Sequence, residues 1–274
     1  MLDSEFFRFE SGALVPCHDQ VSEIRLAAAD SFLVESGSVR SLQQHLDRFA
    51  NWVSVASPAL SLVLPAYFES ALSLIPLEGR WFPRFELHLA SPDGGPREDS
   101  LYLRLRTAPD QLGELILWTL DEPDPRLTPE IKGPDLSLCM QLRRKAQLHG
   151  ADEAVLLDGS GAVVEGALSS LVWWRGDLLC APDNTTSWLN SVTRNEVFAI
   201  AASMGIQTRL ERAKPGDLVG LEIWALSSLQ GIRSVSSWIG LGSPVGVEGS
   251  AAATAQTRLE QFQKRLRLYA RMIR

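Results

Sequence analysis

The hydrophobic positions of this chain change their period several times, and each change marks an element. Between Val39 and Ala56 the residues Leu42, Leu46, Phe49, Trp52 and Val53 fall at the spacing that places them on one face of an α-helix. The stretch "AYFESALSLI" predicts a second helix. Beyond it, "RWFPRFELHLA", "DSLYLRLR" and "LGELILWTL" alternate apolar with polar residues, as strands with one buried face do. Pro-Asp-Gly-Gly-Pro at 92 to 96 supplies a turn that joins the first two as a hairpin.

The pattern breaks at "DEPDPRLTPE", residues 121 to 130, where three prolines fall among acidic side chains. Proline fixes φ and removes a backbone donor, so this stretch predicts a linker between an N-terminal mixed α/β domain, residues 1–120, and a C-terminal α/β domain, residues 131–274. The second half opens with Gly133-Pro134-Asp135 as a helix start, runs periodically through His149 and stops at Gly150. "DEAVLLDGSGAVVEG" and "SSLVWWRGDLLCAP" read as hairpins, the latter turning at Arg175-Gly176-Asp177. "SVTRNEVFAIAASMGI" predicts a helix with Val197, Ile200, Ala201 and Met204 on one face. "LEIWALSSLQGI" predicts a strand running into a polar loop. Near the end, Leu259, Phe262, Leu266, Tyr269 and Ile273 form a stripe on a basic helix, expected to serve core or dimer packing. The fold class is mixed α and β in two domains.

Composition narrows what such a fold could serve. A chain of 274 residues buries roughly three quarters of its unfolded surface and needs no staple. The net charge of −7 argues against nucleic acid or an anionic membrane as partner, and no apolar run is long enough to span a bilayer. Cys17, Cys139 and Cys180 stand in no ligand spacing, and "MLDSEFFRFE" lacks the layout of a signal peptide, so a reducing, cytoplasmic address is expected. That expectation disarms the sequon at Asn184-Thr185-Thr186 and the tripeptide Arg175-Gly176-Asp177. His18, His45, His88 and His149 are scattered, which argues against a zinc site.

Lysine is the informative residue. The chain uses arginine 22 times and lysine four times, and Lys132 stands just past the Pro-rich stretch, following Ile131. Arginine serves as well for a surface charge, so a rare lysine at a domain mouth suggests a needed amine, most economically one that forms a Schiff base with pyridoxal phosphate. Lys145 beside Arg143 and Arg144, Lys214 in an Ala-Lys-Pro-Gly turn, and Lys264 on the basic terminal helix lack the apolar setting that keeps an amine neutral.

Read in order, the motifs resemble those of the fold type IV pyridoxal phosphate enzymes, which include the class IV aminotransferases and aminodeoxychorismate lyase. "ADSFLVESGSVRSLQQHLDRF" is similar to the family's first-domain segment, "VVEGALSSLVWW" to its Glu-Gly-x-x-Ser-Asn strand, "LNSVTRNEVFAIAASMG" to its Gly-Ile-Thr-Arg helix start and "SSLQGIRSV" to its phosphate-side loop. The resemblance spans residues 28 to 240 and implies a cofactor cleft between two domains, a homodimer and an amino-group substrate. It further implies that Lys132 is the Schiff-base lysine, that Glu165 faces the pyridine nitrogen, and that Arg48 binds the phosphate together with Val192, Thr193 and Ser228. Ser31 aligns where the lyase carries a threonine, at the substrate pocket. Read singly, Lys132 is a loop lysine, Arg48 a helix-surface arginine, Glu165 a strand-end side chain facing water and Thr193 a helix cap; their joint order outweighs those readings. The sequence departs from the family at Leu136 and Ser137, where a tyrosine is usual, at Ser191 for glycine, at Ser170 for asparagine and at Ala29-Asp30-Ser31 for Phe-Glu-Thr. The implied function is a class IV aminotransferase acting on an amino acid. The alternatives are an aminodeoxychorismate lyase acting on an amino-chorismate-like substrate and a non-catalytic binding module that kept the fold.

Overall fold

The computed structural model of the chain describes residues 4–17, 26–90, 98–185, 187–240 and 250–274. Contacts divide the chain into two units. The first comprises Met1–Asp110, Ile131–Pro134 and Tyr269–Arg274, and the second comprises Gln111–Glu130 and Asp135–Leu268.

The first unit runs β1 (Ser4–Glu10), β2 (Ala13–Pro16), β3 (Leu26–Ser31), β4 (Val34–Glu35), β5 (Ser38–Arg40), α1 (Leu42–Ala56), α2 (Pro58–Ser61), α3 (Leu64–Leu74), β6 (Arg80–Trp81), β7 (Arg84–His88) and β8 (Ser100–Arg106). Five of its strands form an antiparallel sheet in the order β2-β1-β8-β7-β3. The predicted hairpin is β7 with β8, His88 opposite Ser100, while its turn at 92 to 96 and His18 lie outside the described residues. Alternation along β7 sorts its side chains between two faces. Phe85 and Leu87 join Phe49, Val53, Tyr67 and Ala71 of the helices in the core. Arg84, Glu86 and His88 take the other face, where the Glu86 carboxylate accepts from Arg84 Nε and Arg104 Nε, each at 2.7 Å, and lies 2.8 Å from His88 Nε2. Burial works to raise the Glu86 pKa, but His88 and the two guanidiniums outweigh it and bring it down to about 2.

The second unit runs β9 (Leu115–Thr119), α4 (Leu136–Leu148), β10 (Glu153–Leu157), β11 (Val163–Gly166), β12 (Ser170–Arg175), β13 (Leu178–Pro182), α5 (Val192–Ser203), β14 (Thr208–Glu211), β15 (Glu222–Ser227), β16 (Gly231–Ile239) and α6 (Ser250–Arg267). Its strands form one mixed sheet in the order β11-β10-β9-β16-β15-β12-β13-β14. The two predicted hairpins of this half and its helices α4 and α5 appear where the periodicity puts them.

Three placements differ from the sequence expectation. "LGELILWTL" forms β9, which lies parallel to both β10 and β16 and buries Leu115 and Leu117 in the second core, so the second unit begins upstream of the Pro-rich stretch. Residues 131–134 group with the first unit, because the Ala29 N–H donates to the Lys132 carbonyl at 2.6 Å and extends the β3 edge. The terminal helix stops at Arg267, and the chain returns as β17 (Ala270–Met272), antiparallel to β5, with Ile273 in the first core. Leu259, Phe262 and Leu266 keep their expected packing role, with Phe262 against Trp174 and Trp224. No helix of the described residues is long and apolar enough to cross a membrane.

Candidate active site

In the first unit the chemistry gathers at β3. Asp30, fully buried, accepts from Arg48 Nε at 2.7 Å and Arg48 Nη2 at 3.0 Å, and its Oδ1 lies 2.7 Å from His45 Nδ1. Burial works to raise the Asp30 pKa, yet Arg48 and His45 hold it well below the usual carboxylate range. Burial also pushes the His45 pKa down, and because an ionised Asp30 can only accept, Nδ1 is the donor in that contact. Arg48 is therefore no surface arginine: its side chain is 9% exposed and two of its donors are aimed by Asp30. Ser31, also buried, follows Asp30 directly.

Lys132 reaches the same strand through its backbone. Gly133, at φ 136, is required there, because a Cβ would stand 2.7 Å from the Ala29 nitrogen. The segment leading to Lys132 is tied by Asp135, whose carboxylate accepts from the Thr128 N–H at 2.8 Å and the Leu127 N–H at 3.2 Å. Lys132, Ser31 and Arg48 are thus each attached to β3, the first through its carbonyl, the second as the last residue of the strand and the third through Asp30.

In the second unit Glu165 sits inside β11, opposite Leu156, and is buried, not the water-facing strand end of the simplest sequence reading. Its Oε1 accepts from Arg126 Nη1 at 2.7 Å and from the Leu189 N–H at 3.1 Å. Burial raises the Glu165 pKa, and the Arg126 guanidinium opposes that rise. Leu189 lies just ahead of α5, whose first turn leaves N–H groups without helical acceptors. The Ser191 side chain is the cap, accepting from the Arg194 N–H at 3.3 Å, which leaves the Thr193 hydroxyl out of that role. Thr193 Oγ1 is buried and has no hydrogen-bond partner among the described residues. Arg194 stacks over Trp188 at 3.3 Å, and burial pulls its pKa down to about 10. Ser228 lies in the turn between β15 and β16.

One buried group escaped the sequence reading. Arg126, 5% exposed, is the sole basic residue of the acidic Pro-rich stretch, a signal that a linker interpretation passes over.

Residues 27–238 match the family described as amino-transferase class IV. The chain belongs to that family. Its similarity to the branched-chain-amino-acid aminotransferase of Escherichia coli (strain K12) is 34% identity over 65 residues, 24% of this chain, and the match spans 21% of that curated relative's length. Among solved structures, a branched-chain amino acid aminotransferase of T.th. complexed with N-(5'-phosphopyridoxyl)-L-glutamate superposes with a TM-score of 0.76 at 19% identity, covering 98% of each chain. The Thermoproteus uzoniensis enzyme with norvaline gives 0.76 at 16% identity, over 98% of this chain and 100% of that one. A fold IV transaminase of Curtobacterium pusillum gives 0.69 at 16% identity, over 94% and 99%. The fold of this member is therefore fold type IV, and neither the lyase nor the non-catalytic alternative is favoured by these likenesses.

Proposed function

We propose that this chain is a pyridoxal-phosphate-dependent aminotransferase, moving the amino group of an amino acid to a 2-oxo acid. Thr193 carries the reading: a buried hydroxyl without a partner among the described residues, at the start of a 12-residue helix that follows the loop whose Leu189 N–H meets Glu165, is a site built for an anion that the protein does not itself supply. When bound, the cofactor supplies an electron sink conjugated to the substrate's Cα.

In this reading the N–H groups of Val192 and Thr193, the Thr193 hydroxyl and Ser228 hold the phosphate, with Arg48 completing its charge balance. Asp30 orients the Arg48 fork for that task. Glu165 holds a proton on the pyridine nitrogen, which requires a carboxylate that stays charged although buried. Lys132 would hold the cofactor through Nζ, and its free amine would be the base for the proton on the substrate's Cα. Ser31 lines the substrate pocket. An aliphatic amino acid is the favoured donor, following the branched-chain aminotransferases to which the chain is similar. A homodimer and a cytoplasmic address complete the proposal.

The purified protein is expected to show a visible absorbance band that borohydride removes, with mass spectrometry locating the pyridoxyl adduct on the peptide containing Lys132. Keto acid should form from leucine and 2-oxoglutarate. An adduct on Lys145, Lys214 or Lys264, or no uptake of cofactor, overturns the reading.

A further inference from the structure

We infer that Arg126 is a positioning residue for Glu165: clamped by Asp124, it fixes Oε1 so that Oε2 is the oxygen presented to the pyridine nitrogen. The inference rests on the cofactor reading above and adds to it the device that aims the carboxylate.

Every donor on Oε1 is fixed by the backbone or by a second acid. Arg126 Nη1 and the Leu189 N–H both meet Oε1, whereas among the described residues Oε2 accepts no hydrogen bond. The rest of the guanidinium is held by Asp124, through Nε at 3.0 and 3.1 Å and Nη2 at 2.7 Å. Asp124 also accepts the Arg126 backbone N–H at 3.1 Å, and its own N–H donates to the Leu157 carbonyl at 2.8 Å. Leu157 ends β10, the strand paired with the Glu165 strand, so the clamp closes on the sheet that carries its target. Pro125 lies between the two partners and fixes φ there.

Charge gives the clamp its second purpose. Arg126 alone would cancel Glu165 and leave nothing to hold a protonated ring. With Asp124 the trio is one guanidinium against two carboxylates, and a pyridinium completes the balance. Arg194 and Glu153 also lie within electrostatic reach of Glu165. Burial raises Glu165, and Arg126 is the largest influence working against that.

The test is the pH midpoint of the visible band in loaded protein, for wild type, Arg126→Met and Asp124→Asn, with thermal melts confirming that each variant folds. Without the Arg126 cation a buried Glu165 tends to keep the proton itself, and without the clamp it is no longer aimed; either way the ring nitrogen loses its proton, and the linkage to Lys132 then keeps its own to higher pH. Both variants should raise the midpoint, by about one pH unit for Arg126→Met, a tenfold change in the protonation equilibrium. Turnover should fall with KM for the amino acid nearly unchanged. An unmoved or lowered midpoint in folded, PLP-saturated Arg126→Met overturns the inference, as does weaker cofactor binding with an unshifted band. Should Arg126→Met not fold, Asp124→Asn and Arg126→Lys carry the same test, and an unshifted band in both overturns it. A wild-type protein that takes up no PLP overturns the functional reading, and the inference with it. Loaded wild type with unshifted variants overturns the inference alone.

Discussion

At the scale of single residues, the role proposed for Thr193 rests on the partner that its buried hydroxyl lacks among the described residues. A buried hydroxyl without a partner costs about 1–3 kcal/mol, and valine has nearly the same shape without that cost. Thr193→Val should therefore leave unloaded protein at least as stable as wild type, yet weaken cofactor affinity by about 1.5–3 kcal/mol, the loss of one charge-assisted hydrogen bond. Thermal melts with and without PLP check both arms, and a variant destabilised in both states would mean that the hydroxyl serves the fold. Lys132, Glu165 and Thr193 became candidates through the order of motifs along the chain, which a sequence carries directly. Arg126 did not, because its partners lie 2 and 39 residues away and no local period connects them. Asp30 was legible only as a departure from the family pattern, since its value lies in the Arg48 and His45 that α1 brings to it.

At the scale of elements, β7 and β8 bind their buried charges into one cluster around Glu86. A carboxyl whose folded pKa lies below its unfolded one stabilises the fold fully above the ordinary carboxylate range and loses that contribution as pH falls. For Glu86 the window runs from 4.5 down to about 2, an interaction of about 3 kcal/mol by the usual conversion. Wild type should lose stability across that window, while Glu86→Gln should be less stable at pH 7 and flatter in acid, as urea unfolding at pH 7 and pH 3 will show. Equal slopes for the two proteins would remove Glu86 from the acid response. The strands β7, β8 and β9 follow from their alternation, but a two-residue period announces a strand without naming its neighbour. The partners of β9 lie far along the chain, Leu115 facing Val235 and Leu117 facing Glu153, so no local signal assigned it to the second sheet.

At the scale of the whole molecule, the two units are interleaved in sequence. The first takes Ile131–Pro134 against β3 and Tyr269–Arg274 through β17, while the second holds the rest of the chain beyond Asp110. A fragment of residues 1–120 lacks Ile273 from its core, and burial of one such side chain stabilises by about 1.5–3 kcal/mol. That fragment should show no cooperative thermal unfolding by circular dichroism, and a well-folded fragment would refute the interdependence. The return of β17 to β5 also sets an order of events in the cell. A polypeptide leaves the ribosome in sequence, so the second unit has all its residues in hand once Leu268 has emerged. The unit begun first still waits for its closing strand, and the older part of the nascent chain is the last to be completed.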